Sequence, residues 1–99
     1  MATYRLTVAA TDDVTAIFLE SLERFGLVQA EHYHAGLTAA FEFLAQFPRA
    51  AREREEILPP VRIHPYQAHL IVYELELNDR VLILRVRHRR EDWLADATA

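Results

Sequence analysis

The sequence predicts an α+β fold, in which an N-terminal strand and an antiparallel helical hairpin precede a three-stranded antiparallel meander and a short C-terminal tail. Two observations carry this. Apolar residues recur at helical spacing between about residues 14 and 47, whereas the segments on either side alternate with a period of two. The helical and strand-forming stretches are also segregated along the chain, which favours helices packed on one side of an antiparallel sheet over a βαβ arrangement.

Tyr4-Arg5-Leu6-Thr7-Val8 alternates, with Tyr4, Leu6 and Val8 on one face of a half-buried strand. Thr11-Asp12-Asp13 then offers an N-cap and two negative charges for the positive end of a helix dipole. Val14, Ile17, Phe18, Leu22 and Phe25 follow at helical spacing, and Gly26 is a natural stop. Tyr33, Leu37, Ala40, Phe41, Leu44 and Phe47 repeat the pattern until Pro48 ends it, and the short link at Gly26-Leu27-Val28 makes the two helices antiparallel. Residues 49–58 form a charged connector that reads as a solvated face with room for one helical turn. Strands are expected at Val61 to His64, His69 to Leu77 and Val81 to Arg87. Pro65 and Gln67-Ala68 mark the first bend, and Asn78-Asp79 the second, a pair that tolerates positive φ. The expected core is Leu6, Val8, Ile17, Phe18, Leu22, Phe41, Leu44, Leu82, Leu84 and Val86. That register puts Ile83, Arg85 and Arg87 on the other face of the last strand.

Composition narrows the function. The chain has 99 residues, enough for one domain of marginal stability. At 52% hydrophobic and 26% charged it is globular, and without cysteine it cannot use thiolate catalysis or disulfides. No apolar run is long enough to span a membrane, so a cytoplasmic protein is expected. All 11 basic residues are arginines. Five of them, Arg80, Arg85, Arg87, Arg89 and Arg90, meet no acid until Glu91, although the whole chain carries −4. Such a cluster needs compensation by the fold, a second protein or a phosphate backbone. Glu74 or Glu76 is a candidate partner across the last hairpin.

Other chemistries find little support. His32 and His34 point about 200° apart on a helix, and His64 and His69 flank a turn without further ligands, so no metal or other cofactor is expected. Ser21, the single serine, has no histidine near it in sequence, and two glycines cannot build a phosphate loop. Trp93 reads as an anchor that closes the core or docks a partner.

The last forty residues resemble the ParE branch of the ParE/RelE plasmid-stabilisation toxins. The residues that carry the likeness are Arg62, Leu70-Ile71-Val72-Tyr73, Asn78-Asp79, and the run from Ile83 through Arg85-Val86-Arg87-His88-Arg89-Arg90 to Asp92. The front half agrees in its early strand, its two helices and the Phe47-Pro48 ending. Three positions depart from the family pattern: Arg87 replaces an aliphatic residue, Gln67-Ala68 a glycine-containing turn, and Glu74 a basic residue. The resemblance implies a toxin of a type II toxin–antitoxin system, held in a hetero-oligomer by a ParD-like antitoxin. Its target would be DNA gyrase, contacted by Arg85, Arg87, His88, Arg89, Arg90, Asp92, Trp93 and Tyr73. The alternative is a RelE-like enzyme cutting mRNA on the ribosome, which in this chain would have to rely on His88, Arg85, Arg62 and Glu56, since the lysines of RelE are absent. A toxin-like domain that binds antitoxin without activity is a third reading.

Overall fold

The computed structural model of the protein describes residues 3–90. Strand β1 (Tyr4–Leu6) leads into helix α1 (Val8–Phe25), and helix α2 (Leu27–Gln46) follows it directly. Strands β2 (Glu53–Arg54), β3 (Val61–Tyr66), β4 (His69–Leu75) and β5 (Val81–His88) come next. They form one mixed sheet in the order β1-β5-β4-β3-β2. β1 runs parallel to β5, and every other pairing is antiparallel. The α+β layout is as expected.

Helix α1 starts earlier than the acid pair at 12–13 suggests. Thr7 is its cap: the hydroxyl oxygen accepts from the Ala10 N–H at 3.0 Å and its hydrogen goes to the Leu84 carbonyl at 2.8 Å. Val8 is therefore the first helical residue rather than the end of a strand, and it stands 80% exposed instead of buried. Gly26 ends the helix with φ 88°, a left-handed value that glycine adopts without a steric penalty. The connector forms the two-residue strand β2 against β3 instead of a helical turn.

Both expected turns form. Gln67 has φ 48°, and Asn78 and Asp79 have φ 63° and 58°, as a tight hairpin requires. Pro65 is accommodated inside β3 because β2 pairs only with Val61 and Arg62, which leaves the far end of β3 an edge.

The core has two parts. Leu37, Phe41 and Leu44 of α2 pack with Ala10 of α1 and with Ile71, Tyr73, Val81, Ile83 and Val86 of the sheet. On the reverse face Ile57 from the connector covers Val61 and Val72, with Ile63, Leu70 and Leu84 alongside. The expected register of β5 is thus corrected. Tyr73 pairs with Ile83 but Val72 pairs with Arg85, so β5 carries one extra residue there. This bulge shifts the alternation by one. Val81 and Ile83 join the helices, Leu84 joins the reverse face, and Val86 returns to the helical side. Of the expected core, Phe41, Leu44, Leu82 and Val86 are buried. Leu6, Ile17, Phe18 and Leu84 are half-buried, and Leu22 lies at the margin of exposure.

Candidate functional site

Strand β5 brings the arginine cluster to one end of the sheet, and helix α1 determines how that strand is held. β1 covers the outer edge of β5 only at Val81, Leu82 and Ile83. Beyond that point unpaired backbone groups would face the helix, and buried groups of that kind need partners. Thr7, just before α1, and Asp13, within it, supply them. The Thr7 N–H donates to the Ile83 carbonyl at 3.0 Å and the Thr7 hydroxyl to the Leu84 carbonyl. Asp13 Oδ2 accepts the Val86 N–H at 2.9 Å. The same carboxylate takes Arg85 in a two-pronged pair, from Nε at 2.8 Å and from a terminal nitrogen at 3.0 Å. Arg85 is therefore engaged by the fold, where the sequence suggested a cation on the open side of the sheet.

Past Val86 the chain is tied to the β3–β4 turn. Arg87 pairs with Leu70 and His88 with His69. The Arg89 N–H donates to the Ala68 carbonyl at 2.9 Å and its guanidinium to the Gln67 carbonyl. The Arg90 N–H donates to His88 Nδ1 at 3.1 Å. Arg87 and His88 are half-buried, and Arg89 and Arg90 are exposed. Asp92 and Trp93 lie outside the described residues. Behind this segment, the Tyr33 hydroxyl stands 2.7 Å from His69 Nδ1, and burial raises its pKa. Tyr33, His69 and His88 line a cavity of about 240 Å³ together with Arg24 and Gln29.

Tyr73 does not belong to any contact surface. It is 0% exposed, its hydroxyl donates to the Pro48 carbonyl at 2.9 Å, and burial raises its pKa. A residue at the centre of the core cannot touch a partner, so the target-binding role expected for it is withdrawn. It anchors the chain leaving α2 instead.

The residues of the ribonuclease alternative are not brought together. Arg62 is in register with Tyr73, whereas His88 is in register with His69, four residues away along β4. At the rise of a strand that is about 13 Å. Arg62 is occupied by the Ala51 carbonyl at 2.6 Å. Glu56 lies exposed in the connector beside Arg52 and Arg54, and its carboxyl is held below the usual range by its own backbone N–H first and by those arginines second. The acid pairing expected across the last hairpin is also different: Glu76 binds Arg5 of β1, at 3.0 and 2.7 Å. Among the described residues no three His, Cys, Asp or Glu side chains converge as metal ligands, and no helix is long and apolar enough to cross a membrane.

The roles of Asp13, Thr7, Tyr33 and His69 differ from the sequence reading, which gave Asp13 only a helix-dipole charge, Thr7 a place in the first strand, Tyr33 a place in the second helical pattern and His69 no ligand role. For Asp13 a signal existed: with Ala10, Val14 and Ile17 it falls on the helix face that is buried, where a carboxylate needs a cation or a donor. The Tyr33–His69 contact depends on the strand register and has no counterpart in the local pattern.

The chain matches the family model described as the ParE toxin of the type II toxin-antitoxin system, parDE, over residues 4–93. It is 32% identical over 89 residues to Toxin ParE1 of Caulobacter vibrioides, covering 90% of this chain and 91% of that protein. Toxin ParE1 of Mycobacterium tuberculosis is similar to the same extent, 32% with 90% and 91% covered. Among solved structures, one titled as the chromosomal ParDE TA system from P. aeruginosa shares the fold, with a TM-score of 0.75 at 19% identity over 89% of this chain and 96% of that one.

Proposed function

The chain belongs to the ParE toxins of type II toxin–antitoxin systems, and from that premise we propose that it arrests growth by poisoning DNA gyrase and is neutralised by a ParD-like antitoxin. The observation that carries the choice of target is the distance between Arg62 and His88. Cutting RNA at a 2′-hydroxyl needs a base, an acid and a cation around one phosphate. Here the candidate acid His88 lies at one end of β4 and the candidate cation Arg62 four residues away, while Arg85 is taken up by Asp13. Binding to a protein target asks for less. Arg87, His88, Arg89 and Arg90, with Asp92 and Trp93 next in sequence, would supply a basic contact surface.

The antitoxin would cover the helical hairpin. Leu19, Phe25, Leu27, Val28, Phe43 and Phe47 are all more than 40% exposed, an amount of apolar surface that favours a partner. The outer edge of β3 beyond Arg62 offers backbone groups to the same partner. The test is purified, antitoxin-free protein assayed in parallel on gyrase supercoiling and on mRNA being translated. Supercoiling should be blocked and the message left intact. Cleavage of ribosome-bound mRNA with untouched supercoiling would overturn the proposal.

A further inference from the structure

The basic segment after β5 is connected to helix α2 by a series of named contacts. Tyr33 lies in the second turn of α2. Its ring meets that of Tyr66 at a tilt and that of His69 edge-on, with centroids 5.3 and 5.6 Å apart, and the His69 ring meets His88 edge-on at 5.3 Å. The Tyr33 hydroxyl lies 2.7 Å from His69 Nδ1 and 3.4 Å from the Tyr66 carbonyl, so it bonds both the His69 ring and the turn, and the His69 tautomer sets which partner donates in the shorter contact. That contact fixes the orientation of the His69 ring. His88 is set in the same way from the other side. Its Nδ1 accepts the Arg90 N–H, so the hydrogen of the neutral ring is on Nε2. Ala68 and Gln67 carbonyls hold Arg89 from the turn that His69 follows.

We propose that Tyr33 is a positioning residue for the basic segment: it fixes His69, His69 backs His88, and His88 holds the chain at Arg90, so that Arg89 and Arg90 are presented in one orientation. The proposal rests on the reading that this segment contacts the toxin's target. A segment ordered before binding does not have to be ordered during it, and the target is bound more tightly for that reason.

Tyr33→Phe tests this, because it keeps the ring contacts and removes only the O–H. Four quantities are read on the full chain: melting temperature, the ¹⁵N resonance of His69 Nδ1, amide exchange at Arg89 and Arg90, and growth arrest at matched protein level without antitoxin. The melting temperature should hold while the His69 resonance moves. Exchange at Arg90 should rise about tenfold, as expected when one hydrogen-bonded contact is loosened, and growth arrest should weaken about tenfold with it. Unchanged exchange and unchanged arrest would overturn the proposal, as would an arrest that falls only in step with a lower melting temperature. The double variant Arg89→Ala, Arg90→Ala separates this from the underlying reading. If it remains fully toxic while Tyr33→Phe still loosens Arg90, the segment is not the target contact, although the coupling to Tyr33 stands.

Discussion

Asp13→Ala should destabilise the protein by about 1.5–3 kcal/mol, and most of that loss should come from the strand edge and not from the ion pair. The Asp13 side chain is 16% exposed and its Arg85 partner 42%. Removing the carboxylate strands the Val86 N–H beside the helix, which costs about 1–2 kcal/mol. The two guanidinium contacts add less, about 0.5–1 kcal/mol, because water reaches a half-exposed arginine and replaces much of what is lost. For a chain of this size, each kcal/mol lowers the melting temperature by about 4–8 °C, so the fall should exceed about 6 °C. Arg85→Ala leaves the Val86 bond in place and should cost about a third as much. Asp13→Asn keeps one acceptor oxygen and should fall between the two. Urea unfolding of the three variants and of the double variant Asp13→Ala, Arg85→Ala gives the coupling directly, expected near 1 kcal/mol or below. Amide exchange at Val86 reports the stranded donor. If Arg85→Ala cost as much as Asp13→Ala, the ion pair would be holding the strand and the account of the edge would be wrong.

Tyr73→Phe should cost about 1–2 kcal/mol by leaving the Pro48 carbonyl short of its donor, yet growth arrest per folded molecule should not change; a folded variant without activity would return Tyr73 to the contact surface. Gly36→Ala should lose about 1 kcal/mol even though alanine favours helix, because the new methyl would fall 1.9 Å from the Tyr66 hydroxyl and force that ring off Tyr33; a gain in stability on unfolding would refute the close contact. His64 is half-buried against Phe43, and burial lowers its pKa from the ordinary 6.5. The folded state therefore binds this proton less readily than the unfolded one, so stability should be flat above about pH 6.5 and decline as pH falls below it. The melting temperature of His64→Gln should fall less than that of the parent between pH 7 and 5, and parallel curves would contradict the assignment.

Most of the architecture was legible because period and punctuation agree. Gly26, Pro48, Gln67-Ala68 and Asn78-Asp79 each stand where the chain turns, and the helical and strand periods fill the intervals between them. What escaped were places where two elements meet. Thr7 and Thr11 are equally good caps as residues, and the acids after Thr11 favour the later one. Only the Leu84 carbonyl, 77 positions away, makes Thr7 the better choice. The bulge in β5 is similarly hidden, because Val-Leu-Ile-Leu is apolar in either register and the alternation cannot report its own slip. The candidate site followed the same rule. The basic residues are visible in one run of sequence, but whether each is engaged by the fold depends on a carboxylate on α1 and on two carbonyls in a turn.

That dependence changes what the arginine cluster means. Read as sequence, Arg80 to Arg90 are five cations that need compensation from somewhere. Folded, they fall into different classes. Arg80 stands near Glu76, whose carboxyl is held low chiefly by its bond to Arg5 and more weakly by the charge of Arg80. Arg85 is joined to Asp13 and works as a tether between helix and strand. Arg89 keeps its charge at the surface while its N–H and Nε bind the β3–β4 turn, and carbonyl oxygens do not neutralise a guanidinium. Among the described residues, carboxylates thus face the start and middle of β5, whereas Arg89 at its far end is held by carbonyl oxygens. An anionic partner would meet a narrower surface than the run of arginines suggests, held in place from behind by the turn and by α2. Charge reversal at the two ends should then behave differently: Arg85→Glu should be read out as lost stability, and Arg89→Glu as lost growth arrest with the fold intact. Equal effects of both on melting temperature would mean that the far end, too, is engaged in holding the fold together.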